Sequence, residues 1–171
     1  MSTLLPGESI EATILFSFDL GYIASIPGGY KGELRQPNIR LERKLSTPDT
    51  EKLFEDGEVV TLYIERYIPQ IDTYALSEWS PQEDLARKNA GVGTITTTKV
   101  LNRMEWGYYC VSQDLLLEGD IVAQEFVKED KKKAQHPPLS GEDSLQIGQI
   151  IKVQVIKKTD LSHCEFCLDL S

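Results

Sequence analysis

The sequence predicts an all-β chain built as two tandem five-stranded barrels joined by a short helical linker. Three observations carry that expectation. Apolar residues recur with period two in short runs bounded by Gly, Pro and Asp, five such runs fall in each half, and matched positions repeat between the halves at a fixed spacing.

In the first half, Ile10, Ala12, Ile14 and Phe16 alternate with polar neighbours, which predicts a strand with all four on its inner side. Gly21–Ile26, Glu58–Glu65 and Thr73–Ser77 read the same way, with a shorter strand at Lys31–Arg35. Thr47-Pro48 followed by Asp-Thr-Glu-Lys-Leu-Phe predicts one helical turn over Thr47–Phe54, with Thr47 as N-cap and Pro48 at the first helical position. Five short strands with one helical turn make a small barrel.

The second half repeats the order. Its expected strands are Thr94–Leu101, Gly107–Val111, Asp120–Phe126, Gln149–Ile156 and a last segment from Cys164. Between the halves, Ser80-Pro81-Gln82-Glu83 has the spacing of a capping box with Pro at the first helical position, so a short helix is expected from Pro81 to Asn89. The domains are therefore 1–79, a linker 80–90, and 91–171. Gly7 and Gly93, Ala12 and Thr98, Ile14 and Val100, and Gly21 and Gly107 share one offset of 86 residues. Gly57 and Gly148 are 91 apart, because the second copy has a longer basic loop over 128–145. That loop is rich in Lys, Pro, Ser and Gly and is expected to stay outside the core and be mobile.

Composition is that of a globular protein: 171 residues, 40% hydrophobic and 26% charged. No apolar run is long enough for a membrane helix, and Met1-Ser2-Thr3-Leu4-Leu5-Pro6 lacks the features of a signal peptide, so a cytoplasmic protein with no membrane partner is expected. The net charge is −9, with 13 acidic and 7 basic residues in 1–80 and 14 and 11 in 81–171. Bulk attraction to phosphate is excluded, and any nucleic-acid site must be local. Two local basic clusters exist: Lys31, Arg35, Arg40, Arg43 and Lys44, and Lys128, Lys131, Lys132 and Lys133. Both fall on the third strand of a barrel or the connection after it.

Three cysteines, an odd number, are read as reduced thiols. Cys164 and Cys167 have the C-x-x-C spacing, but on a strand residues three apart point to opposite faces, so no metal site is expected. There is no phosphate-binding glycine loop and no nucleophile with a nearby His. His136 and His163 are the only neutral-pH bases, so neither catalysis nor a cofactor is expected.

The ordered pieces Trp106-Gly107-Tyr108-Tyr109-Cys110-Val111, Glu118-Gly119-Asp120-Ile121-Val122, Ile147-Gly148-Gln149-Ile150-Ile151-Lys152-Val153 and Cys167-Leu168-Asp169-Leu170-Ser171 resemble the S1 RNA-binding domain, an OB-fold family named for a small-subunit ribosomal protein. Leu20-Gly21-Tyr22-Ile23-Ala24, Lys31-Gly32-Glu33-Leu34-Arg35 and Asp56-Gly57-Glu58-Val59-Val60 match it in the first half. The resemblance implies a face on which unpaired bases stack on aromatic rings while cations hold the backbone. Where the family has two aromatics and a histidine, the second copy has Trp106, Tyr109 and Val122, and the first has Leu20, Ile23 and Arg35. Asp160 matches an acidic position in the last hairpin. Tyr22 and Tyr30 are near enough in sequence to replace the rings missing from the first copy.

The expected RNA-binding residues are therefore Trp106, Tyr109, Lys128, Lys131, Lys132, Lys133 and Asp160, with Arg35, Lys31, Arg40 and Tyr22 in the degenerate first barrel. The function implied is a non-catalytic adaptor that contacts single-stranded RNA or a ribonucleoprotein complex through the second barrel, in translation or transcription. The alternative is a protein-binding module docking on a large complex such as the ribosome or RNA polymerase, and a protein partner is expected for the acidic first barrel.

Overall fold

The computed structural model describes residues 3–128 and 133–171. The chain divides into two compact units, Met1–Leu85 and Ala86–Ser171, each containing one closed five-stranded barrel. The fold is all-β and OB-like.

The first barrel consists of β1 (Ser9–Phe18), β2 (Gly21–Ile26), β3 (Tyr30–Arg35), β4 (Val59–Ile68) and β5 (Thr73–Ser77). They close in the order β1-β2-β3-β5-β4, with β3 and β5 parallel and the other pairs antiparallel. Period-two alternation turns Ile10, Ala12 and Ile14 inward, onto Leu34, Leu62 and Leu76. The second barrel repeats this with β6 (Ile95–Met104), β7 (Gly107–Ser112), β8 (Glu118–Val122), β9 (Ile150–Lys158) and β10 (His163–Leu168), where β8 and β10 form the parallel pair.

The repeated glycines have repeated jobs. Gly7 and Gly93 adopt positive φ and donate their amides to Ile64 and Val155, while Gly57 and Gly148 do the same toward Ile14 and Val100. The inner tyrosines repeat as well: the Leu53 amide donates to the Tyr22 hydroxyl at 3.1 Å and the Leu145 amide to the Tyr108 hydroxyl at 3.2 Å. Each hydroxyl thereby ties down the connection between third and fourth strands. The linker helix α2 (Pro81–Asn89) has the expected bounds and box, with the Glu83 amide donating to Ser80 Oγ at 3.2 Å and the Ser80 amide to Glu83 Oε1 at 3.0 Å. The division between the two units falls inside it.

Four expectations are corrected. The helical turn of the first barrel is α1 (Leu41–Ser46), upstream of Thr47. Its Leu41 is buried, Glu42 lies in the first turn and Arg43 and Lys44 in the last, as the helix dipole favours. Thr47 ends this helix, its hydroxyl donating to the Arg43 carbonyl at 2.8 Å, and Pro48 accepts from the Glu51 amide in a turn. Phe16 does not face the core. A β-bulge between Ile14 and Phe16 reverses the alternation, and Phe16 is 49% exposed opposite Ile23. The same bulge lies between Val100 and Asn102, so it belongs to the fold rather than to one copy.

In the second barrel, the strand expected to run to Phe126 ends at Val122 and gives way to a 3-10 turn at Gln124–Phe126. The loop that follows is not free over 133–145. His136 and Pro137 are buried and Leu145 enters the core. The Gln124 amide donates to Pro137, the Leu168 amide to Gln135 and the Tyr108 hydroxyl to Pro138. Backbone carbonyls of an apparently polar loop thus satisfy donors at the barrel edge, which its composition does not reveal.

Candidate nucleic-acid interface

Trp106 occupies the two-residue turn between β6 and β7, and Tyr109 the third position of β7. Alternation sends Tyr108 and Cys110 into the core and leaves Tyr109 half-buried on the outer face. Trp106 is 37% exposed. Neither ring is part of the core cluster. Trp106 lines a depression of ≈ 220 Å³ together with Asp120, Val122, Thr159, His163 and Glu165. A neighbouring depression of ≈ 260 Å³ shares Val122 and Glu165 and adds Phe126, Lys128, His136 and Ile156. Phe126, 53% exposed, stands in a short turn beside the site rather than at the end of a strand, a place for which the sequence carries no signal.

The polar part of the face is acidic. β7, β8 and β10 put Tyr109 opposite Asp120, Asp120 opposite Glu165, and Glu118 opposite His163. The Tyr109 hydroxyl donates to Glu118, and His163 lies 3.5 Å from Glu118 Oε1 and 3.3 Å from Asp120 Oδ2. Burial, and then the Glu118 hydrogen bond, push the Tyr109 phenol far above its ordinary range. Burial also raises the Asp120 carboxyl, with Glu118 and Glu165 adding to the effect and His163 opposing it.

Asp160 caps the β9–β10 turn, its Oδ1 accepting from the Ser162 and His163 amides at 2.9 and 2.8 Å. It thereby holds the His163 backbone in place. Lys128 borders the second depression and Lys133 is half-buried; Lys131 and Lys132 lie outside the described residues.

The first barrel differs from expectation more sharply. Tyr22 is a core residue, packed edge-on against Phe54 at 5.1 Å, and cannot offer a ring to a base. Tyr30 is half-buried against Tyr74 at 5.4 Å. Two arginines of the basic cluster are consumed internally. Arg40 sits over the Trp79 ring at 5.2 Å and binds Glu83 at 2.6 Å, a bond that holds the guanidinium pKa up and contributes to holding the Glu83 carboxyl down. Arg43 stacks on Phe54 at 4.1 Å and pairs with the buried Glu78 carboxylate at 2.9 Å. Arg35 is exposed but chelated by Glu33 at 3.2 Å, and Lys31 is exposed on β3. In place of the rings, the outer face shows Phe16, Leu20 (51% exposed) and Ile23.

Cys164 lies in the core and Cys167 is buried on the following stretch of β10; burial pushes the Cys164 thiol up to about 11 and the Cys110 thiol up to about 12. No cluster of potential metal ligands occurs among the described residues, and no described helix is long and apolar enough to cross a membrane.

No family model and no curated protein matches the chain. Among solved structures it is similar to a multidomain protein with nucleic acid binding domains from Streptococcus pneumoniae TIGR4, at 11% identity and a TM-score of 0.33. The match covers 99% of this chain and 53% of that one, so the chain spans about half the length of the protein it resembles.

Proposed function

We propose that the protein is a non-catalytic adaptor of the S1 type that binds single-stranded RNA by base stacking on the outer face of its second barrel, within translation or transcription. The observation that carries this reading is the position of Trp106 at a depression and of Tyr109 opposite Asp120 of its lining, both rings outside the core cluster. Rings so placed gain about 1–3 kcal/mol per stacked base. Because the face is acidic, affinity comes from stacking and base edges more than from phosphates. A second reading, docking on a protein of a larger assembly, is favoured for the first barrel, where Arg40 and Arg43 are committed to carboxylates and an apolar Phe16–Leu20 surface is exposed.

Titration of the protein with an unstructured oligoribonucleotide at two salt concentrations tests the main reading. The expected result is binding with a shallow salt dependence, since each phosphate contact adds only about −0.7 to the slope of log affinity against log salt. Trp106→Ala should weaken it by about 1–3 kcal/mol without lowering thermal stability. Absence of binding below high micromolar concentration, or unchanged affinity in folded Trp106→Ala, transfers the proposal to protein docking.

A further inference from the structure

We infer that the depression beside Trp106 selects guanine among the bases of a single strand; this rests on the stacking reading above and specifies its ligand. Two features of different kind converge on one cavity. One is a flat, partly exposed ring that can take the face of any base. The other is a wall that presents hydrogen-bond acceptors to whatever edge the base offers.

That wall comes from strand register. Asp120 on β8 and Glu165 on β10 are directly opposite each other in a parallel pair, where like charges destabilise a sheet. The first barrel has shed this cost. Its matching positions are Glu33 and Ala75, also directly opposite, and Arg35 neutralises Glu33. In the second barrel, Val122 replaces the arginine, and among the described residues no Lys or Arg lines the depression; Lys157, opposite Glu165 on β9, makes no ion pair with it. His163 has one ring nitrogen toward Glu118 and the other toward Asp120. No hydrogen bond or ion pair among the described residues engages the Glu165 carboxylate, which lines the cavity with Trp106.

A base stacked on Trp106 therefore meets carboxylate oxygens and few donors. Guanine presents two adjacent donors, the ring N1–H and the exocyclic amino group, which match one carboxylate in a two-bond, charge-assisted pair. Adenine and cytosine set a ring-nitrogen acceptor beside their amino group, and uracil flanks its single N–H with two carbonyl oxygens. Those acceptors would face carboxylate oxygens without a proton between them, and a site built for donors discriminates strongly against an edge that lacks them.

The test uses the full chain and four heptauridine-length oligoribonucleotides whose central base is guanine, hypoxanthine, adenine or uracil, with affinity read by fluorescence anisotropy. Guanine should bind about ten-fold more tightly than adenine or uracil, with hypoxanthine, which keeps N1–H but lacks the amino group, between them. Glu165→Gln and Asp120→Asn, checked for unchanged melting or a modest rise, should level the four, whereas Trp106→Ala should weaken all four. Equal affinities in the wild type, still reduced by Trp106→Ala, overturn the guanine assignment and leave the stacking reading standing. No binding to any of the four overturns both. So does capture of an arginine-rich peptide that Glu165→Gln abolishes while the oligonucleotides stay unbound, because the depression then serves a cationic protein segment.

Discussion

In both barrels a glycine opens the second strand because another strand passes against it. A Cβ on Gly21 would lie 2.1 Å from the Leu34 carbonyl oxygen, and one on Gly107 would lie 1.9 Å from that of Ile121. In both, an inward tyrosine hydroxyl receives an amide from the loop before the fourth strand. The outer faces share only an acidic position, Glu33 and Asp120, and otherwise differ: Phe16, Leu20, Ile23 and Arg35 on one, Asn102, Trp106, Tyr109 and Val122 on the other. The backbone frame constrains what points inward and leaves the outside free, so two copies of one fold can carry different surfaces. Function must be argued from the outside.

The sharpest way to break the comparison is through the way each barrel closes its end. The first uses Phe54 against Tyr22 and Arg43, while the second uses Leu145 under Tyr108. Phe54→Ala should cost the first unit about 3–5 kcal/mol in chemical denaturation. Barrel-specific amide exchange should show the second unit unaffected. Gly21→Ala and Gly107→Ala set a methyl group against a backbone oxygen that cannot swing aside, and each should destabilise its own unit by about 3 kcal/mol. Similar penalties support equivalence of the frames, and a tolerated alanine at either site breaks it.

Arg43→Ala leaves the buried Glu78 carboxylate with the Arg40 amide as its one remaining donor among the described residues and strips a cation from the Phe54 ring. It should cost about 1–2 kcal/mol by thermal melting, while Arg35→Ala, which removes an exposed guanidinium from a Glu33 side chain that keeps 12% of its surface in solvent, should cost less.

The smallest effect concerns the acidic wall. A carboxyl raised in the folded state is harder to ionise there than in the unfolded chain, so stability falls as pH rises from the ordinary aspartate value of about 3.9 up through the folded one. At neutral pH the whole cost is present. Asp120→Asn should therefore raise the melting temperature slightly at pH 7, and the gain should vanish below about pH 4. A loss at pH 7 would mean that the His163 contact outweighs burial and the repulsion from Glu118 and Glu165 together.

Strands were legible because alternation is local, and the capping box of α2 because both of its partners lie within four residues. What escaped depended on residues distant in sequence. The helix at Leu41–Ser46 is selected by the burial of Leu41, two residues after the core residue Ile39, not by the Thr-Pro signal after it. Phe16 turns outward because of a bulge that no residue type announces. Trp106 and Tyr109 could be named from the sequence, yet the carboxylates around them could not, since Asp120 and Glu165 meet only through the parallel pairing that closes the barrel. The basic cluster of the first half failed for the complementary reason: Glu78 and Glu83, which occupy Arg43 and Arg40, arrive from the far end of the unit.

All three cysteines belong to the second barrel, and all three are buried. A thiol that reacts only as thiolate, and only after water reaches it, is shielded twice: by the walls around it and, at Cys110 and Cys164, by the raised pKa those walls impose. Labelling kinetics with an aromatic disulfide reagent would consequently act as a built-in stopwatch for opening of that barrel alone, with the first barrel silent in the assay. Slower labelling in the presence of oligonucleotide would report how firmly a ligand on the outer face holds the barrel shut, without any introduced probe.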